Sequence, residues 1–176
     1  MYQANTTEEA VARPADGAAA DLEHEERRNG QQFLTFICDG EEYGIDILRV
    51  QEIKGWEGVT KVPQAPSYVL GVMNLRGVIV PVVDLRGRFG LPIREFDSST
   101  VVIVVKVHGS KGERTAGIVV DAVSEVYSFS GDSIKPPPGV GGRIDSACIS
   151  GLAMENDKMV MLLDIDGLIA SSVEGV

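Results

Sequence analysis

The sequence predicts a mainly β protein made of two similar, fused five-stranded barrels with a few short helices, one of them C-terminal. Two observations carry this. The apolar runs are short, strand-length and separated by turn signals, the spacing expected of small barrels or a sandwich. The chain also repeats itself. Gly44-Ile45 is followed by Val50, Glu52 and Ile53, and Gly117-Ile118 is followed at the same offsets by Val123, Glu125 and Val126. Gly71-Val72 precedes Asp84-Leu85 by thirteen positions, and Gly151-Leu152 precedes Asp164-Ile165 by the same thirteen. A leading hairpin opens each copy, and the second has the longer loop. Correspondences that recur in one order mark a duplicated unit.

Taken in order, residues 1–30 are rich in Ala, Glu, Asp and Arg and nearly devoid of large apolar side chains, so they are expected to form a disordered acidic tail. The ordered domain is expected over 31–172, with subdomains at roughly 33–95 and 98–168. "QFLTFICDGEEYGIDI" is a hairpin turning at Asp39-Gly40. "DILRVQEIKGW" fits a turn of helix or a bend into a third strand. "KVPQAP" is a proline-marked loop. "YVLGVMNLRGVIVPVVDL" gives two strands around Asn74–Gly77, and "DLRGRFGLP" gives a short helix or turn. "STVVIVVKV" and "TAGIVVDAVSEVYSF" are strands, "KPPPGVGG" is a rigid loop, "CISGLAMENDKMVMLLDI" is a hairpin, and "DGLIASS" is a final short helix.

Charge and chemistry narrow the function. A net charge of -10 opposes nucleic-acid binding, which needs clustered Lys and Arg. The N-terminus has no basic start followed by an apolar stretch, and no run approaches the ~20 apolar residues of a membrane span, so a cytoplasmic protein is expected. Cys38 and Cys148 are far apart and read as a buried reduced pair. His24 and His108 have no partner at metal-ligand spacing and read as surface residues. "DIDG" at Asp164–Gly167 lacks the further acidic ligands of a calcium loop and reads as a helix cap or strand end. "GVGG" follows prolines and opens no helix, so it is no phosphate cradle, and no serine sits in a nucleophile motif. Neither catalysis nor a metal or other cofactor is indicated.

The run Val78–Val83 is the most informative apolar stretch. The run has no polar alternation, so its side chains face apolar surroundings on both sides: one barrel's own core, and either the other barrel or a docking partner. Pro81 cannot donate to a ladder and belongs at an edge, bulge or strand start. Arg76, whose counterpart in the second copy is Asn156, is expected to pair with Glu52 and order the turn. Breaking that pair would cost roughly 3–5 kcal/mol if buried and less than about 1 kcal/mol if exposed.

"EEYGIDILRVQEIKG", "GVMNLRGVIVPVVDLR", "TVVIVV" and "AGIVVDAVSEV" together resemble the CheW-like family of bacterial chemotaxis coupling proteins, from about Phe33 to Ile169. The resemblance implies two fused, intertwined SH3-like barrels and a non-enzymatic adaptor with no cofactor. It implies two partners, the cytoplasmic tip of methyl-accepting chemoreceptors and the CheW-like regulatory domain of the histidine kinase CheA, with recruitment to receptor arrays and no direct membrane insertion. On this sequence the receptor-binding positions would be Val50, Gly71 and Val101 in an apolar groove, supported by Glu52 and Arg76. Kinase contacts would fall on Val78 and Val80 at one barrel end and on Lys135 and Val140 in the proline loop. Gly71 is expected to let a partner backbone approach closely. The loop "HGSKGERT" is longer, and "PPPGVGG" stiffer and richer in glycine, than is usual in the family. Two alternatives stand beside this reading: an adaptor of a non-flagellar chemosensory pathway, and a small-ligand-binding barrel.

Overall fold

The structure, a computed structural model, describes residues 30–137, 139 and 144–173. The expected tail up to residue 29, with His24, and Val140 in the proline loop lie outside the described residues. The described chain forms β1 (Gln31–Cys38), β2 (Glu41–Asp46), β3 (Val50–Gly55), β4 (Val69–Leu75), β5 (Val78–Asp84) and helix α1 (Leu85–Phe89). It continues with β6 (Val101–Gly109), β7 (Gly112–Val120), β8 (Ala122–Phe129), β9 (Ile149–Glu155), β10 (Lys158–Leu163) and helix α2 (Ile165–Val173). The ambiguous segment after β2 is both things the sequence allowed: a 3-10 turn at Ile47–Arg49, capped by the Asp46 side chain, then a strand.

Turn chemistry explains the hairpins. Asp39 and Gly40 (φ 53° and 79°), Arg76 and Gly77 (φ 49° and 85°) and Asn156 and Asp157 (φ 49° and 61°) are all left-handed pairs, the geometry that matches strand twist across two-residue loops. Helices start where aspartates cap them. Asp84 accepts from the Arg86 N–H, and Asp164 accepts from the N–H groups of Asp166 and Gly167, which settles "DIDG" as a cap.

Two five-stranded sheets form, in the orders β8-β1-β2-β10-β9 and β3-β6-β7-β5-β4. The repeat maps β1, β2, β3, β4 and β5 onto β6, β7, β8, β9 and β10, and under that mapping one sheet becomes the other. Each sheet therefore combines the leading hairpin of one copy with the last three strands of the other. The stretches 33–95 and 98–168 do not coincide with the sheets: the copies have exchanged hairpins. The junctions are the only parallel pairings among the described strands, β2 with β10 and β5 with β7. Parallel neighbours need a long crossover, which strands donated from a distant part of the chain provide. Neither sheet closes by a continuous ladder. One bridge per sheet, Thr60 to Val72 and Lys135 to Leu152, ties the chain after an edge strand back to the opposite edge.

Burial follows from this arrangement. Adjacent residues on the interior strands point into different cores. Val82, Val102, Val104 and Val119 fill one barrel, while Phe33, Phe129, Val160 and Leu162 fill the other. Val83, Ile103, Val105, Leu34, Phe36, Ile45 and Leu163 meet in a third, central core between the sheets. The second half of the Val78–Val83 run is thus buried on both faces. Pro81 stands just before the β5–β7 ladder, which covers Val82–Asp84, so its missing donor falls at a local edge of an otherwise interior strand.

Gly71 has a structural use. It is buried at φ 150°, and a Cβ there would lie 2.1 Å from the Thr60 carbonyl oxygen. Gly151, its repeat counterpart, is crowded by Ile134 (2.6 Å) and the Lys135 carbonyl (3.1 Å). The close backbone approach expected of a partner is made by the protein's own bridging segment, because that segment must pass over the sheet edge to tie it down.

The copies are also fastened by ion pairs of opposite polarity. Arg86, at the start of α1, donates to both oxygens of Asp121 at the β7–β8 corner (2.8 and 2.6 Å), to Asp39 (3.2 Å) and to the Pro92 carbonyl (2.7 Å). Asp166, at the same place in α2, accepts from Arg49 at the β2–β3 corner (3.0 and 2.7 Å). Burial pushes the Asp84 carboxyl up. The Arg86 hydrogen bonds hold Asp121 below the usual carboxylate range against its desolvation. Cys38 and Cys148 are free and buried, and burial pushes the Cys38 thiol up to about 12.

Two outcomes test these assignments. Gly71→Ala should lower stability by at least about 2 kcal/mol in urea melts, while Gly55→Ala, where a Cβ meets nothing, stays within about 0.5 kcal/mol. Asp121→Asn should cost about 3 kcal/mol at neutral pH. A carboxyl depressed in the native state stabilises above its unfolded value and loses that contribution as pH falls through its native one. The gap between wild type and Asp121→Asn should therefore close as pH drops below about 4.

Candidate functional site: exposed apolar surface on both barrels

The surface residues that chemistry would need are tied up structurally. Among the described residues no group of three or more His, Cys, Asp or Glu is placed to hold a metal ion. His108 is exposed at the β6–β7 hairpin, where its Nδ1 lies 2.7 Å from Arg49 Nη1 and its backbone N–H donates to Asp166 (2.7 Å). Arg88 holds α1 to α2 by donating to the Leu168 carbonyl (3.1 Å) and stacks over Tyr68. These side chains fasten the helices to the sheets.

The expected Arg76–Glu52 ion pair is made, between the β4–β5 turn and β3. Those strands are opposite edges of one sheet, so the pair helps to bring the edges together. The Arg76 side chain keeps 70% of its exposure and Glu52 24%, which places the pair in the weak, solvent-screened class. Arg76 also holds the same left-handed conformation, φ 49°, as Asn156 in the other hairpin. Asparagine tolerates that region and arginine gains nothing from it. The arginine is thus explained by its side chain, not by its turn.

Val50 and Val101 are partly buried against the central core. Val50 pairs with Val105 and Val101 with Gly55, so the two valines stand at opposite ends of the β3–β6 ladder and not side by side. Gly71 is covered by Thr60, as above. Of the residues expected at the other surface, Val78 is 57% exposed, whereas Val80, two positions further along the same face, is fully buried, because Val78 sits at the hairpin end where the strand has passed beyond the core. Val80 is therefore withdrawn as a contact residue. Lys135 is exposed, with its backbone held by the bridge to Leu152. Val140 lies outside the described residues.

Sequence reading missed Ile79, which is 62% exposed next to Val78, and also Met154 and Met159. Met154 and Met159 pair across the β9–β10 hairpin, and Ile79 faces Asn74 at the matching place in β4–β5. The repeat puts Met159 where Ile79 is and Met154 where Asn74 is. Each barrel thus ends in a hairpin that carries exposed apolar side chains. The signal was present, since "NDKM" and "LRGVI" occupy corresponding hairpin turns, but exposure could not be read without knowing where each core lay. Such surface costs solubility unless a partner covers it.

Comparison with known proteins agrees with this picture. Residues 32–173 match the model of the CheW-like domain. The chain is 44% identical over 142 residues to chemotaxis protein CheW of Klebsiella aerogenes, covering 81% of this chain and 83% of that one. It is 34% identical over 142 residues to chemotaxis protein CheW of Rhizobium meliloti, covering 81% and 89%. The crystal structure of scaffolding protein TtCheW from Thermoanaerobacter tengcongensis superimposes with a TM-score of 0.74 at 37% identity, covering 84% of this chain and 96% of that one. With its duplicated, hairpin-exchanged sheets and its exposed apolar ends, the chain belongs to the CheW-like family and is a chemotaxis adaptor that works without catalysis.

Proposed function

We propose that this adaptor joins the cytoplasmic tips of methyl-accepting chemoreceptors to the CheW-like regulatory domain of the histidine kinase CheA, and that it is held in membrane-associated arrays through those partners. The observation that carries the proposal is the pair of exposed apolar hairpin ends, Val78 with Ile79 on one barrel and Met154 with Met159 on the other. Two equivalent ends suit a kinase domain that must be contacted from two sides, and no described helix is long and apolar enough to cross a membrane. The receptor tip, a helical hairpin, is assigned to the β3–β6 side near Val50 and Val101. There Glu52 and Arg76 support the rim, and partly buried valines can accept an amphipathic helix. Gly71 supports this side from within, by letting the Thr60 segment tie down the edge. Single contacts of moderate strength are sufficient, because arrays add avidity.

Purified adaptor should co-sediment with receptor-bearing membranes and carry CheA with it. Val78→Asp with Ile79→Asp should keep receptor sedimentation and weaken CheA capture roughly tenfold or more, the scale of a lost interface anchor. Unchanged capture would remove this hairpin from the kinase contact. In thermal melts, Arg76→Asn should move stability by less than about 1 kcal/mol, and the coupling between Arg76→Ala and Glu52→Gln should be equally small. If the pair supports the receptor rim, the same Arg76→Asn protein should sediment less well with receptor membranes.

A further inference from the structure

The two hairpin ends that carry exposed apolar side chains differ in their chemistry. Of the chain's five methionines, Met1 lies outside the described residues, and Met73 and Met161 are half-buried, against one barrel core and the central core. Met154 and Met159 are 59% and 49% exposed. They pair directly across β9–β10, each two positions from the Asn156-Asp157 turn. Opposed side chains in an antiparallel ladder share a face, with Cβ atoms about 5 Å apart. Their neighbours Ala153 and Val160 fill the barrel core, so alternation turns both thioethers to the outside. The result is one contiguous patch with two sulfurs. On the other barrel the corresponding positions are Asn74 and Ile79, which also pair, and neither contains sulfur.

A thioether needs no deprotonation to react. Its sulfur lone pair attacks one oxygen of hydrogen peroxide, the O–O bond breaks and an S–O bond forms. The proton on the transferred oxygen passes to the departing hydroxide, which leaves as water, so sulfur is oxidised by two electrons and the peroxide is reduced. Cys38 and Cys148 do not compete. Both are buried, burial pushes both thiols up, and their oxidation needs an accessible thiolate. The sulfoxide is polar and chiral, and its oxygen loses hydration wherever an apolar surface covers it. Neither Met154 nor Met159 enters a core, so the fold tolerates the change, whereas a partner seated on the patch does not.

We propose that Met154 and Met159 are a modification site for hydrogen peroxide, and that sulfoxide formation on the pair withdraws this barrel end from docking while Val78 and Ile79 on the other barrel stay unaltered. The loss of docking rests on the kinase-contact reading above; the oxidation does not. Methionine sulfoxide reductases return the thioethers, so the adaptor passes reversibly between two usable ends and one.

The full-length protein, treated with limiting hydrogen peroxide and quenched with catalase, tests this by peptide mass spectrometry. Met154 and Met159 should gain oxygen several times faster than Met73 or Met161, with the melting temperature within about 2 °C of the untreated protein. Oxidation of Met73, Met161 or a cysteine at a matching rate, or a larger fall in melting temperature, would overturn the site. The quenched protein should then capture CheA roughly tenfold less well and recover with methionine sulfoxide reductases. Protein carrying Met154→Leu and Met159→Leu should show no loss on treatment, relative to its own untreated sample. Unchanged capture by fully oxidised protein rules out the switch. In that case weakened capture by Val78→Asp with Ile79→Asp leaves the kinase-contact reading standing, and unchanged capture there removes it too.

Discussion

The structure depends on the central core that the exchanged hairpins create. Val83, Ile103, Val105 and Ile118 from one sheet meet Leu34, Phe36, Ile45 and Leu163 from the other, and the hairpins among these strands, β1–β2 and β6–β7, each sit in a sheet whose other three strands come from the opposite copy. A barrel of five strands from about seventy residues buries little apolar surface and is marginal alone. Exchange makes the two barrels share one core, so neither can open without exposing the other. The parallel junctions β2–β10 and β5–β7 are where that dependence is written into the backbone.

Exchange also determines what remains for binding. Interior strands are consumed on both faces, so recognition is left to the places the cores do not reach: hairpin ends, edge strands and the connecting straps. Val82 and Val83 are wholly inside, whereas Val78 and Ile79, a few residues earlier on the same strand, are outside. The duplicated units keep the same backbone while their side chains diverge. Arg76 and Asn156 share a left-handed turn, but only the arginine reaches across to Glu52. Arg86–Asp121 and Asp166–Arg49 fill the same joint with reversed charge. Equal frames with unequal surfaces suit an adaptor that must hold different proteins on different sides.

Much of this was legible from residues. The Asp39-Gly40 and Asn74–Gly77 turns, the cap at Asp164, the duplication, the apolar surroundings on both sides of the second half of the Val78–Val83 run and the Arg76–Glu52 pair all rest on local chemistry or short-range pattern. Two assignments did not hold. Val80 was read as available for a partner because an unbroken valine run does not reveal where the strand leaves the core. Gly71 was read as a place for a partner's backbone because a glycine announces a close approach without naming what approaches.

By itself, the sequence determined the strand and turn inventory, the repeat and the absence of any local catalytic motif, because each depends on interactions between residues near one another in the chain. Only the tertiary structure decided which hairpin joins which sheet, which neighbour Gly71 accommodates and which valines meet water. Similar repeats can pair within a copy or between copies with the same local contacts, and it is the shared core, formed from residues far apart in the chain, that selects between them.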